Sequence, residues 1–180
     1  MTTANKLTIA RIIMIPIFLV VLYMDAAGSA YLATVIFALA SLTDFVDGYI
    51  ARHYNQVTNF GKFMDPLADK MLVVAGMCWF VEQGQMLGWI LAAVLLREFA
   101  VSGMRLVAVE QGIVIAAGWS GKVKTAVTMI AICVMLLVNE PWMPMPSVVN
   151  MVCQLSILVT TLYSGVEYFY KNRTVFQSAD

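Results

Sequence analysis

Polar residues arrive in bursts along this chain, and apolar residues arrive in long runs. Six runs stand out, at roughly 7–23, 31–51, 66–82, 86–108, 122–138 and 147–170. A hydrocarbon core about 30 Å thick needs about 20 helical residues, within a range of about 17–25. Each run therefore predicts one transmembrane helix. The connections are short and carry turn residues: Gly28-Ser29, Asn55 to Asn59, Gly84, Gly112 with Gly118, and Pro141 to Pro146. Pro16 falls inside the first run, where neighbouring helices can hold a helix across a proline. That run lacks a small-residue cleavage pattern and reads as a retained helix. With no repeat or linker in view, residues 1–180 read as one all-α, polytopic membrane domain of six transmembrane helices.

Composition agrees with that reading. The chain is 61% hydrophobic and 12% charged, with a mean hydropathy of +0.82, against about 45–50% and about 25% in soluble domains. Formal net charge is zero, so the placement of charge matters more than the sum. Lys6 and Arg11 lie at the first end; Arg52, Lys62 and Lys70 bracket the second turnaround; Arg105, Lys122 and Lys124 bracket the fourth; Lys171 and Arg173 follow the last run. The other three connections hold only Asp25, Glu82 and Glu140. Lysine and arginine stay on the cytoplasmic side of a membrane, which predicts that both termini are cytoplasmic. Cys78, Cys133 and Cys153 are scattered through apolar runs and read as small buried hydrophobes. The four tryptophans, Trp79, Trp89, Trp119 and Trp142, sit near segment ends, as interfacial anchors do. Nothing in the charge pattern points to nucleic acid.

Against this background, the stretch DFVDGYIARHYNQVTNFGKFMDPLADK is out of place. Asp44 and Asp47 are three residues apart near the end of the second helix and share a face. Asp65 and Asp69 are four apart at the start of the third, with Pro66 suited to a first helical turn. A short loop makes the two helices antiparallel neighbours, so the four carboxylates can converge at cytoplasmic membrane depth. Uncompensated, they would resist ionising together. Hard divalent cations such as Mg²⁺ or Mn²⁺, which prefer oxygen ligands, resolve that conflict. Gly48, Ala51 and Gly61 leave room beside them, and Arg52 adds a fixed cation. Together these features suit a pyrophosphate ligand, and a carboxylate not committed to metal can take a proton from an attacking hydroxyl. The plainer alternative, aspartates capping helices and pairing with Arg52, Lys62 and Lys70, fits two aspartates better than four.

The pattern D-x-x-D-G-x-x-A-R, eight residues, then G-x-x-x-D-x-x-x-D is present without a departure. It resembles the signature of the CDP-alcohol phosphatidyltransferases. The resemblance implies a subunit of six transmembrane helices, pairing as a homodimer, that moves a phosphatidyl or related group from a CDP-linked donor to an alcohol and releases CMP. It further implies two metal ions on Asp44, Asp47 and Asp65, with Asp69 close to them and acting as general base. Asp47, Gly48, Ala51, Arg52 and Gly61 would line the site for CDP-diacylglycerol. Asn5, Thr8 and Arg11 match the family's N-x-x-T-x-x-R element near the nucleotide. Taken alone, that element would read as a helix start with snorkelling basic residues.

The acceptor must be read elsewhere. Arg97 and Arg105, in REFAVSGMR, are eight residues apart and lie broadly on one side of a helix. Glu98 points about 100° away from Arg97, a poor arrangement for pairing. Lys122 and Lys124, in GKVKT, fall at the cytoplasmic level of Arg105. Four cations beside an anionic donor suggest an acceptor that carries its own phosphate, although the positive-inside rule alone accounts for the lysines. RExxxSxxR and GKVKT look like segments of the bacterial branch that makes phosphatidylglycerophosphate, which implies sn-glycerol 3-phosphate as acceptor at the bacterial inner membrane. Other acceptors (inositol phosphate, serine or phosphatidylglycerol) stay open, as does a divalent-cation transporter. A transporter, however, would place acids near the midplane and often show paired repeats.

Overall fold

The computed structural model describes residues 3–24, 26, 28–53, 59–113, 115–116, 118–138 and 146–173, with side chains for all of these except 3–6, 44–53, 59–63, 65, 66, 69 and 146. Six helices make up the fold: α1 (Thr3–Leu22), α2 (Ser29–His53), α3 (Asn59–Glu82), α4 (Gly88–Glu110), α5 (Trp119–Val138) and α6 (Pro146–Lys171). No strand occurs among the described residues. Each helix matches one predicted run and most are longer. Hydropathy marks only the apolar part of a helix, whereas its backbone hydrogen bonds continue into polar sequence. The largest difference is in α3, which begins at Asn59, so Pro66 lies inside the helix and not in its first turn. Pro16 lies inside α1 in the same way. Each proline removes one backbone donor, and tertiary packing must hold the helix across it.

The turns have a local cause. Gly84 and Gly112 adopt positive φ, at 67° and 75°, a conformation that glycine enters without a Cβ penalty. After α3, the N–H of Gln85 reaches the Phe80 carbonyl at 2.8 Å and that of Gly84 reaches Val81 at 3.1 Å. After α4, Ile113 bonds Ala108 at 2.8 Å and Gly112 bonds Val109 at 3.0 Å. Both are Schellman closures, which satisfy the last free carbonyls of a helix.

The bundle is asymmetric from end to end. At one end, Phe18, Phe37, Met77, Phe80, Ile132, Met135, Leu136 and Ile157 are all fully buried. The Phe18 and Phe37 rings stand 5.7 Å apart. Tyr23 closes this end by donating to the Glu82 carboxylate. Gln154 on α6 accepts from the Leu87 N–H at 3.0 Å and donates to the Gln85 carbonyl at 2.9 Å. Along the bundle, α1 packs on α2 and α3, α5 on α6 and α2, and α4 chiefly on α6. Helices α4 and α5 make no close backbone approach among the described residues.

The outer faces are apolar: Leu96, Phe99 and Leu106 on α4 and Val166 on α6 are all exposed. So large an apolar surface suits lipid better than water. By length and composition, two helices among the described residues are apolar enough to cross a membrane, Trp119–Val138 and Ser147–Lys171. The apolar stretches Leu7–Leu22 and Ser29–Thr43 are shorter. Helix α4 carries Arg97, Glu98 and Arg105 within its run. The cysteines are free, but Cys78 is exposed on α3, so only Cys153 is a buried hydrophobe as expected and Cys133 is half-buried. Trp89 and Trp119 are exposed at helix starts, whereas Trp79 packs against the core. Trp142 lies outside the described residues.

Candidate functional site

Helices α2 and α3 are in contact, as their short connection predicts. Asp44, Asp47, Gly48, Ala51 and Arg52 lie on the C-terminal half of α2. Gly61, Asp65 and Asp69 lie on the N-terminal half of α3. The side chains of these eight residues, and that of Asn5, lie outside the described residues. Among the described residues, no group of three or more His, Cys, Asp or Glu is arranged to hold a metal.

The N-terminal element is described in part, and it is buried. Thr8 and Arg11 are each 1% exposed, so Arg11 does not snorkel. Its Nε donates to the Ala40 carbonyl on α2 at 3.2 Å, and Thr43 Oγ1 donates to the same oxygen at 2.7 Å. Ala40 lies about one helical turn before Asp44. Burying a guanidinium is costly unless it is hydrogen-bonded, and here the bond fixes a cation against α2 one turn before Asp44.

The second group is ionic and spans three helices. Glu98 on α4 sits at its centre. Arg97 Nη1 lies 2.9 Å from Glu98 Oε1, and Lys124 Nζ on α5 lies 2.9 Å from the same oxygen. Lys70 Nζ on α3 stands 3.5 Å from Oε2 and donates to Ser102 Oγ at 2.6 Å. The expectation that Glu98 would pair poorly with Arg97 is therefore corrected. Their Cα–Cβ bonds diverge, but the long arginine side chain swings across to its neighbour. Glycines make the space for it. A Cβ at Gly165 on α6 would stand 3.3 Å from Arg97 Cγ, and one at Gly121 on α5 would stand 3.5 Å from Nη2. Arg97 Nε is buried with no hydrogen-bond partner among the described residues.

The four cations read as one acceptor site do not all gather in one place. Arg97 and Lys124 meet at Glu98. Arg105 Nε donates to Tyr168 Oη at 3.1 Å, with its guanidinium carbon 5.6 Å from the ring centroid. Eight residues of helix separate it from Arg97 by about 12 Å. Lys122 is exposed, whereas Lys124 is 4% exposed; two residues apart on a helix means opposite faces, about 200° around the axis. Sequence reasoning missed Lys70, Ser102 and Tyr168. Lys70 carries a signal in hindsight: it directly follows Asp69 and lies within the apolar run of α3. Beside Tyr168, a cavity of about 320 Å³ is lined by Ser120, Glu167 and Asn172 among others.

A helical bundle with an aspartate signature on two contacting helices and a cation cluster beside it defines a class. Residues 1–163 match the family described as CDP-alcohol phosphatidyltransferase, and the chain belongs to that family. It is 42% identical to the CDP-diacylglycerol–glycerol-3-phosphate 3-phosphatidyltransferase of Bacillus subtilis, over 93% of each chain. It is 36% identical to a probable phosphatidylglycerophosphate synthase of Mycobacterium tuberculosis, over 92% of this chain and 78% of that one. It is 34% identical to the Haemophilus influenzae protein named like the first, over 90% and 88% of the two chains. Membership of a transferase family leaves the transporter reading without support.

Proposed function

We propose that the chain transfers the phosphatidyl group of CDP-diacylglycerol to sn-glycerol 3-phosphate, giving phosphatidylglycerophosphate and CMP. The observation that carries this reading is the unbroken aspartate motif on α2 and α3, in a chain 42% identical to an enzyme named for that reaction. A glycerol hydroxyl oxygen attacks the β-phosphorus that bears diacylglycerol. The bond from that phosphorus to the CMP oxygen breaks, and CMP leaves with the electron pair. Asp69 takes the hydroxyl proton, as a general base within reach of the nucleophile. Asp44, Asp47, Asp65 and Asp69 offer only carboxylate oxygens, a donor set that fits Mg²⁺ or Mn²⁺. Two such ions, when bound, supply charge neutralisation on the pyrophosphate and on the leaving group.

The rest of the site follows from charge and space. Asn5, Thr8, Arg11, Asp47, Gly48, Ala51, Arg52 and Gly61 hold the donor's head group, with Arg11 of α1 as a buried cation bonded to the α2 backbone. Arg97 and Lys124 hold the acceptor phosphate, supported by their burial and by the unpartnered Arg97 Nε. Arg105 and Lys122, nearer the end of the bundle, draw the anionic acceptor inward. In this reading all six helices cross the membrane with both termini cytoplasmic, and the site lies at the inner face of the bacterial cytoplasmic membrane, where the donor's acyl chains can remain in lipid. The exposed apolar faces support this arrangement. The enzyme works as a homodimer.

Purified protein with CDP-diacylglycerol and Mg²⁺ is offered glycerol 3-phosphate, serine, inositol, inositol phosphate or phosphatidylglycerol, and CMP release is followed. Release with glycerol 3-phosphate alone, lost in Asp69→Asn, is expected. Release only with another acceptor overturns the acceptor assignment and leaves the aspartate chemistry standing.

A further inference from the structure

Glu98 is unusual among the charged groups of the second site because it occupies the place an acceptor anion would take. It satisfies Arg97 and Lys124 through one oxygen and approaches Lys70 through the other. A phosphate monoester would offer the same oxygens to the same cations. Three cations against one carboxylate leave two positive charges, and a phosphate monoester carries about −1.5 to −2 at neutral pH.

We propose that Glu98 is a resident counter-ion of the acceptor-phosphate site, which yields Arg97, Lys124 and Lys70 to the incoming phosphate and reclaims them when product leaves. This rests on the acceptor being a phosphate monoester, as proposed above. The product keeps that monoester, so whatever binds the acceptor also retains the product. A carboxylate held against the cations competes with both and weakens the site in each direction. Lys70 belongs to the same device. Its Nζ is anchored by Ser102 Oγ at 2.6 Å, within reach of the same carboxylate. The side chains of Arg97, Lys124 and Glu98 are 13%, 6% and 19% exposed, which limits how far water can screen the exchange. Arg97 Nε, buried and unpartnered, is a donor that Glu98 does not use and a phosphate oxygen can.

The test compares wild type with Glu98→Gln, which keeps the shape and an acceptor oxygen but removes the charge. CMP release is measured against glycerol 3-phosphate, with inorganic phosphate as competitor. Thermal unfolding of the same preparations in inorganic phosphate is a readout that needs no turnover. In Glu98→Gln, the inhibition constant for inorganic phosphate is expected to fall about tenfold, equivalent to about 1.4 kcal/mol. KM for glycerol 3-phosphate falls with it. kcat also falls, because product is retained, and phosphate raises Tm more than in wild type. Lys70→Met shifts both constants the other way. A lower kcat with KM and phosphate inhibition unchanged or raised would mean that Glu98 is only structural, and would overturn the proposal. If Glu98→Gln fails to fold, Glu98→Asp, with its carboxylate drawn back by one methylene, is expected to move the same constants in the same direction by less. Should wild type turn over only a phosphate-free acceptor, the functional reading fails, while the phosphate-dependent Tm still tests the role of Glu98.

Discussion

The two ends of this bundle solve opposite problems. The apolar end is built chiefly from side chains that exclude solvent: Phe18, Phe37, Phe80 and Met77 interlock, and the α1–α2 and α3–α4 connections are closed by local hydrogen bonds. The charged end holds the lysines and arginines from Lys6 to Arg173 in the halves or connections that face it, except Arg97 near the middle of α4, with the aspartate signature on α2 and α3. Packing there is interrupted by Glu98 and its cations. The comparison teaches that stability and chemistry are segregated along the helix axes. A rigid apolar end holds six helix ends in place, and the far ends can then carry groups that would destabilise a core on their own.

That segregation can be broken by mutation, and the expected effects are graded. Asp69→Asn is the most severe for activity: loss of a general base costs about 10²–10⁴-fold in kcat, with Tm close to wild type. Phe18→Ala is the most severe for stability, at about 3–5 kcal/mol for a buried phenylalanine. Unfolding in detergent reads the loss, and KM for glycerol 3-phosphate in the folded fraction is unchanged. Should Phe18→Ala raise KM as strongly as it lowers Tm, the two ends are not independent. Lys124→Met removes a hydrogen bond to a charged group, worth about 1.5–3 kcal/mol, and raises KM for the acceptor about 10- to 150-fold. Lys122→Ala, two residues away and exposed, changes KM by about twofold or less, since surface substitutions fall within about 0.5 kcal/mol. Equal effects at Lys122 and Lys124 would erase the distinction between a built site and a general positive charge.

The sequence was most informative where physics is local. Six helices follow from apolar runs, and their ends follow from glycines such as Gly84 and Gly112 that close a helix in only one way. The aspartate spacing places four carboxylates on the two contacting helices because i,i+3 and i,i+4 positions share a face. Relationships between helices were less legible. Lys70 looked like one more positive-inside charge until α4 was packed beside α3. Glu98 was judged by the 100° between neighbours, which ignores the reach of an arginine side chain and the room left by Gly121 and Gly165. Tyr168 carried no signal at all, because its role depends on Arg105 arriving from another helix. The lysine pair was separable in advance, since two residues of helix turn Lys122 and Lys124 to opposite faces.

The gap between α4 and α5 has a consequence beyond binding. These helices have no close backbone packing among the described residues, and the link from Glu98 to Lys124 crosses between them. At the level of Glu98 the two helices are joined by an ion pair, whereas nearer the other end Ile90 and Val94 of α4 share one apolar cluster with Ile132 and Leu136 of α5. Helix α4 is thus seated mainly on α6 and α3, and its tie to α5 at mid-height is one of charge, a hydrophilic fastening in a protein otherwise dressed for fat.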